Sequence, residues 1–260
     1  MRYTTDLSDR EWQLLQNCFP KPASTGRPRV HSYRELLNAM FYVVRTACQW
    51  RNLPKDFAPW GTVYHYFRVW KRSGLWERIH TRLRQQVRRA AKRHAHPSAA
   101  IVDSQSVKSS ECSAARGYDA GKKVNGRKRH LLVDTLGLVL RVLVLPANIQ
   151  DRDGARQLLA QYFGRRTRRR IRHIWADGGY AGTLVAWAQR VWRCTVAIVK
   201  RTEAHTFKVL PRRWVVERTF GWLNRYRRLS RDDERQAQTG ETMVYLAMIR
   251  LMIARLAAKS

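Results

Sequence analysis

At 260 residues, with 44% apolar side chains and ten tryptophans, the chain can fill one large core or two small ones, which excludes a disordered polypeptide. The formal net charge of +32, from 51 Lys and Arg against 19 Asp and Glu, exceeds what solubility needs and selects polyanionic partners, nucleic acid first. The excess is spread, +13 over residues 1–98 and +19 over the remainder, so both halves are expected to touch the polyanion. Cys18, Cys48, Cys112 and Cys194 form no C-x-x-C pair and have no zinc-like histidine pattern, and read as reduced thiols of a cytosolic protein. No apolar run of signal-peptide or membrane-span length is visible, since Arg250 and Arg255 interrupt the tail from Met243 to Ala258.

Ser8 and Glu11 form a capping box that starts a helix at Asp9, ending before Pro20. A basic connector, Lys21 to Val30, leads to a second capping box, Ser32 and Glu35, and an apolar helix through about Cys48. Thr62 is placed to cap a third helix that ends near Gly74, and Leu75 to about His94 reads as a fourth. This region has the outline of an all-α, helix-turn-helix-like domain over residues 1–95. On its third helix Val63, Phe67 and Trp70 face inward while His65, Arg68 and Arg72 share the other side, a face that suits either a DNA major groove or plain solvent. His94 to Ser98 reads as a linker, the two histidines having no third ligand nearby.

Beyond it the pattern turns strand-like. Ala99 to Val102 is a short apolar run ending in Asp103, and a loop rich in Ser, Gly and Lys then leads to Lys128-Arg129-His130. Leu131–Asp134 and Leu138–Pro146 read as a hairpin, Arg152–Phe163 as a helix, and Ile171–Ala176 as a strand ending in Asp177-Gly178-Gly179-Tyr180. A helix over Thr183–Val191, a strand over Cys194–Val199 and closing helices complete the chain. The first closing helix, Arg212 to Leu229, buries Val216, Phe220 and Leu223 and carries Arg213, Glu217, Asn224 and Arg228 on a polar stripe. The order of residues 96–260 is that of a ribonuclease-H-like α/β domain, a mixed sheet flanked by helices.

In such a sheet, side chains at the carboxyl ends of central strands converge on one crevice. Asp103 and Asp177 each follow an apolar run, and Glu217 can reach the same crevice from its helix. Singly, each acid is also an ordinary turn, cap or salt-bridge residue. Together in so basic a chain they call for neutralising cations, and hard oxygen ligands suit Mg²⁺ or Mn²⁺, two ions for in-line displacement at a phosphodiester. Asp134 is the rival carboxylate, placed where a hairpin turn begins. Asp151 and Asp153 read as loop and helix-cap residues. Trp222 and Trp214 could stack on an unpaired base, although the spacing of Trp222 favours the core.

The stretches Ile-Val-Asp103-Ser-Gln-Ser-Val-Lys, Gly126 to Gly137, Asn148 to Ala155, Ala-Asp177-Gly-Gly-Tyr and Trp-Val-Val-Glu217-Arg-Thr-Phe-Gly-Trp-Leu together resemble the DDE transposases of bacterial insertion sequences. Tyr33 to Ala39 and Gln49 to Pro54 resemble the N-terminal domain of the same group. The resemblance implies that Asp103, Asp177 and Glu217 are the catalytic, metal-binding triad, and that the enzyme cleaves element ends and joins the 3′-hydroxyl to target DNA. It also implies double-stranded DNA partners (terminal inverted repeats and target), at least a dimer on DNA, and a bacterial, nucleoid-associated setting. In the related signature Arg213 fits the arginine position, Leu210 stands at the tyrosine position and Asn224 at the lysine position, so Arg225 or Arg228 is expected to supply the missing charge. Arg213, either a phosphate contact or a brace for Glu217, joins Arg225, Arg228, Lys128, Arg129, His65, Arg68 and Arg72 as the expected DNA-binding residues. The alternatives are a transposase-derived regulator that no longer catalyses and another ribonuclease-H-like nuclease.

Overall fold

The computed structural model describes residues 2–21, 29–164, 170–199 and 214–258. Both capping boxes form as reciprocal pairs. The Ser8 hydroxyl accepts from the Glu11 amide (3.2 Å) while the Ser8 amide donates to Glu11 (3.0 Å), opening helix α1, Asp9–Leu15. Ser32 and Glu35 do the same for α2, Tyr33–Thr46, which stops at Ala47 in the left-handed region. Helix α3, Trp60–Arg72, starts two residues before the expected Thr62 cap, because the Pro59 carbonyl accepts from both Thr62 and Val63 and places them inside the first turn. Gly74, at φ +67°, makes the tight corner into α4, Leu75–Ala90.

The sheet contains β1 (Ala99–Lys108), β2 (Gly117–Asp119), β3 (Val124–Asp134), β4 (Val139–Pro146), β5 (His173–Ala176) and β6 (Thr195–Ile198). Its order is β2-β3-β1-β5-β6, with β4 also on β3. The β1–β3, β2–β3 and β3–β4 pairs are antiparallel, and β1–β5 and β5–β6 parallel. The fold is ribonuclease-H-like, as expected. Two strand assignments differ. Residues expected to form a loop up to Lys128 instead form β2 and the first half of β3. Strand β1 also runs past Asp103 to Lys108, so that residue lies in mid-strand.

Two apolar layers follow from strand alternation. Ala100, Val102, Leu132 and Leu143 pack on α5 (Asp151–Phe163) and α6 (Thr183–Trp192). On the opposite face Ile101, Leu131 and Val133 meet α7 (Trp214–Asn224) and α8 (Ala237–Ala257). Helix α8 is buried almost all round, from Met243 to Ile249 without a break, and also packs on α1, α2 and α4. The division near residue 95 therefore separates helices from sheet in sequence, while one hydrophobic core runs across it. Among the described residues, no helix is long and apolar enough to cross a membrane.

Candidate active site

The parallel pairing sets Ile101 opposite Trp175. Asp177 keeps an extended backbone (φ −82°, ψ −178°), so two residues further on Asp103 and Asp177 leave neighbouring strands at one level and on one face. Adjacent strands lie about 4.8 Å apart. What makes this a crevice is that β5 stops at Ala176 while β1 continues, so Asp103 stands beside the turn after its partner strand rather than at its own strand's end. Asp103 Oδ1 accepts from the Ser104 amide at 2.7 Å and Asp177 Oδ1 from the Gly179 amide at 2.9 Å; both residues are half-buried.

Glu217 comes from α7, which packs against β1 on the face that bears Asp103. The register of helix on strand is marked by Gln105, whose side-chain amide lies 3.4 Å from Asn224 Oδ1. Glu217 is two turns back from Asn224 on the same helix face, roughly 10.5 Å along the axis. Asp103 is two residues back from Gln105, roughly 6.6 Å along the strand. Glu217 is exposed. The donor chemistry of the Asp103 and Asp177 pair fits a hard divalent cation. Among the described residues, however, no three His, Cys, Asp or Glu side chains come close enough to form a closed metal site.

The rival acid has other work. Asp134 is fully buried, pairs with Arg88 at 2.5 Å and accepts the Leu136 and Leu138 amides at 2.9 Å each, holding the β3–β4 turn. Asp151 differs from its expected part. It opens α5, but its Oδ1 accepts from Ser104 Oγ at 2.7 Å and pairs with Lys128 Nζ at 3.1 Å. Burial works against its charge, yet Ser104 and Lys128 outweigh it and hold the carboxyl below its usual range. Tyr180 is fully buried beside this group. Its phenol is pushed well above the usual range by burial first and then by the charges of Asp103 and Asp151. His130 in the same layer is held down to about 4 by burial. Neither Asp151 nor Tyr180 was a sequence candidate, although each lies in one of the stretches singled out there.

The expected DNA-binding residues separate. His65, Arg68 and Arg72 are exposed on α3, opposite Val63, Phe67 and Trp70, as the periodicity required. Arg225 is exposed just beyond α7. Arg228 is turned from the crevice: the helix ends at Asn224, and Arg228 bonds Glu234 at 2.6 Å and the Cys48 carbonyl at 3.2 Å. Arg129 must be reassigned. It is 1% exposed and donates to the carbonyls of Leu229 (2.5 Å) and Arg231 (2.9 Å), so it ties down the segment after α7 rather than meeting phosphate. Lys128 is buried between Asp119 (3.4 Å) and Asp151, and its charge is spent there. Arg213 and Leu210 lie outside the described residues. Trp222 is half-buried, packed over Gly137 with the Arg218 and Arg255 guanidinium groups 4.7 and 4.2 Å from its ring centre, whereas Trp214 is exposed.

A mixed sheet of this order, with Asp103 in β1 level with Asp177 just past β5, is that of a ribonuclease-H-like domain. Residues 94–252 match the family described as "Transposase DDE domain", and residues 7–80 match "Putative transposase of IS4/5 family". The first match spans more than half of the chain, and the chain belongs to the DDE transposase family. Two proteins of Burkholderia cepacia are similar to it. One, "Insertion element IS402 uncharacterized 16.2 kDa protein", is 30% identical over 125 residues, covering 45% of this chain and 78% of the relative. The other, "Putative transposase for insertion sequence element IS402", is 33% identical over 117 residues, covering 43% of this chain and 56% of the relative. The chain is a transposase acting on DNA, and its family works with divalent metal ions.

Proposed function

We propose that Asp103, Asp177 and Glu217 are the carboxylates at which this transposase cuts the ends of its element and joins the freed 3′-hydroxyl to target DNA. The observation that carries the reading is the pairing of β1 with β5, which brings Asp103 in mid-β1 level with Asp177 just past the end of β5, on the sheet face where the helix bearing Glu217 packs. These residues would hold two Mg²⁺ or Mn²⁺ ions. When bound, such ions activate the attacking hydroxyl and stabilise the leaving oxygen of the phosphodiester. The protein's own contribution is orientation. The Ser104 amide fixes Asp103, the Gly179 amide fixes Asp177, and the contact between Gln105 and Asn224 sets how α7 lies over them.

Residues 1–95 form the end-recognition domain in this reading and residues 96–260 the catalytic domain. The exposed His65, Arg68 and Arg72 face of α3 meets the terminal inverted repeats, and Arg225, with Arg213, grips the flanking phosphates. Asn224 engages Gln105, so the charge that relatives carry at this position falls to Arg225. The working form is a dimer or larger assembly that pairs two ends, in the bacterial cytoplasm at the nucleoid. The test is Mg²⁺-dependent cleavage and strand transfer on element-end DNA. Alanine at Asp103, Asp177 or Glu217 should abolish both while end binding persists. Wild-type cleavage by Glu217→Ala would overturn the assignment.

A further inference from the structure

Behind Asp103 and Asp177 lies a second polar row built on the other face of the sheet. Ser104, Ser106, Lys128 and His130 occupy paired positions on β1 and β3, and Asp151 and Asp119 meet them from outside. Lys128 is shared by the two acids, and both Ser104 and Lys128 hold Asp151 by one oxygen, Oδ1. Its other oxygen, Oδ2, points toward Gly179, on the turn whose backbone fixes Asp177: a β-carbon built on Gly179 would lie 3.1 Å from Asp177 Oδ1 and 3.9 Å from Asp151 Oδ2. Tyr180 closes this turn, its amide donating to the Asp177 carbonyl at 3.2 Å. The Tyr180 side chain is wholly buried and its hydroxyl has no hydrogen-bond partner of sound geometry, although Ser104 lies near it and Asp103, Asp151 and Asp177 all bear on it.

A buried hydroxyl without a partner destabilises the fold. Simple packing would be served as well by phenylalanine. A donor kept dry on the Asp177 turn, near the Ser104 hydroxyl that holds Asp151, is instead suited to fix that turn in one orientation once cations draw the carboxylates together. We propose that Tyr180 and Asp151 are positioning residues: the phenol and the Lys128-braced carboxylate hold the Asp177 turn, and through Ser104 the backbone that carries Asp103, in the arrangement that takes up divalent cations. This rests on the reading of Asp103 and Asp177 as metal ligands.

The experiment is titration of the full-length protein with Mn²⁺, without DNA, followed by loss of the free-ion electron paramagnetic resonance signal. Thermal unfolding of metal-free samples is measured in parallel. Tyr180→Phe and Asp151→Asn should each weaken Mn²⁺ binding about tenfold or more, the size seen when outer partners of metal ligands are removed. Metal-free Tyr180→Phe should unfold at or above the wild-type temperature, which separates positioning from a structural defect. Asp177→Asn serves as the reference. If it loses Mn²⁺ while Tyr180→Phe and Asp151→Asn stay within twofold of wild type, the positioning role is overturned and the ligand assignment survives. If Asp177→Asn also binds as wild type does, both readings fall.

Discussion

Asp103 and Asp134 both follow apolar runs, and the structure gives them opposite signatures on replacement by alanine. Asp134 and Arg88 have side chains 0% and 5% exposed, 2.5 Å apart, and Asp134 also accepts two turn amides. Removing one partner of such a pair strands a buried charge, at about 3–5 kcal/mol. The orphaned turn amides add to that, while Arg88 keeps its 2.8 Å bond to the His94 carbonyl, so Asp134→Ala should fall within that range. Against a total stability of about 5–15 kcal/mol, the loss is large. Asp103 is half-buried and its Oδ1 accepts the Ser104 amide at 2.7 Å. Loss of a part-exposed hydrogen bond of this kind should cost about 0.5–1.5 kcal/mol, well under the loss at Asp134. Urea unfolding followed by tryptophan fluorescence gives the stabilities, and Mg²⁺-dependent nicking of element-end DNA gives the activity. The reasoning is refuted if Asp103→Ala is destabilised as much as Asp134→Ala, or if Asp134→Ala keeps its stability and alone loses nicking.

Arg68→Ala should weaken binding to end DNA and lower the slope of log affinity against log salt by about one, whereas Arg129→Ala should leave that slope unchanged and lower the unfolding midpoint, since its guanidinium holds backbone carbonyls. Gly154→Ala should cost about 1–3 kcal/mol or more by thermal unfolding, because a β-carbon there would collide with the buried His130 ring. Burial raises the Glu241 carboxyl to about 7. Between about pH 4.5 and 7 the folded state therefore binds more protons than the unfolded chain, and stability should fall across that window as pH rises, by on the order of 3 kcal/mol. Glu241→Gln keeps an acceptor for the Val144 amide, bonded at 3.0 Å, and should flatten the slope; urea midpoints measured from pH 4.5 to 8 decide it.

What was legible in the sequence is what local chemistry fixes. The two capping boxes, the inward stripe of α3 and the short apolar run before Asp177 each state their structure within a few residues. Strand β3 is not legible over its first half because Arg127, Lys128, Arg129 and His130 are polar yet buried, and the first three are satisfied far along the chain by Asp151 and residues 229–235. The helix bearing Glu217 was drawn five residues too long for a related reason. Tyr226 and Leu229 continue its apolar period, but Leu229 is buried from a separate 3₁₀ turn, Arg227–Leu229, that packs on α2, and Tyr226 is half-buried at the start of that turn. Asp151 reads as no more than a loop or cap residue because its role depends on a pairing that only the folded sheet creates, Ser104 opposite His130 and Ser106 opposite Lys128.

The same distant contacts bear on how the carboxylates are held. The chain leaving α7 is bound to the helical region at two points: the Arg45 guanidinium of α2 donates to the Arg225 carbonyl at 2.5 Å, and Arg228 donates to the Cys48 carbonyl just past α2. On the sheet side, Asn224 meets Gln105, and the Thr219 hydroxyl donates to the Gly137 carbonyl at 2.8 Å. The helix that carries Glu217 is thus braced between the sheet bearing the aspartates and the helices bearing the exposed basic face of α3. Misplacement of reacting groups by about 1 Å can cost on the order of a hundredfold in rate. The N-terminal helices are tied to the C-terminal end of the helix that carries Glu217, through Arg45 and Arg228. Those helices are part of the scaffold of the face that bears the acids, and the continuous core through α8 is the physical reason that the exposed basic face of α3 and the acids on the sheet keep one geometry.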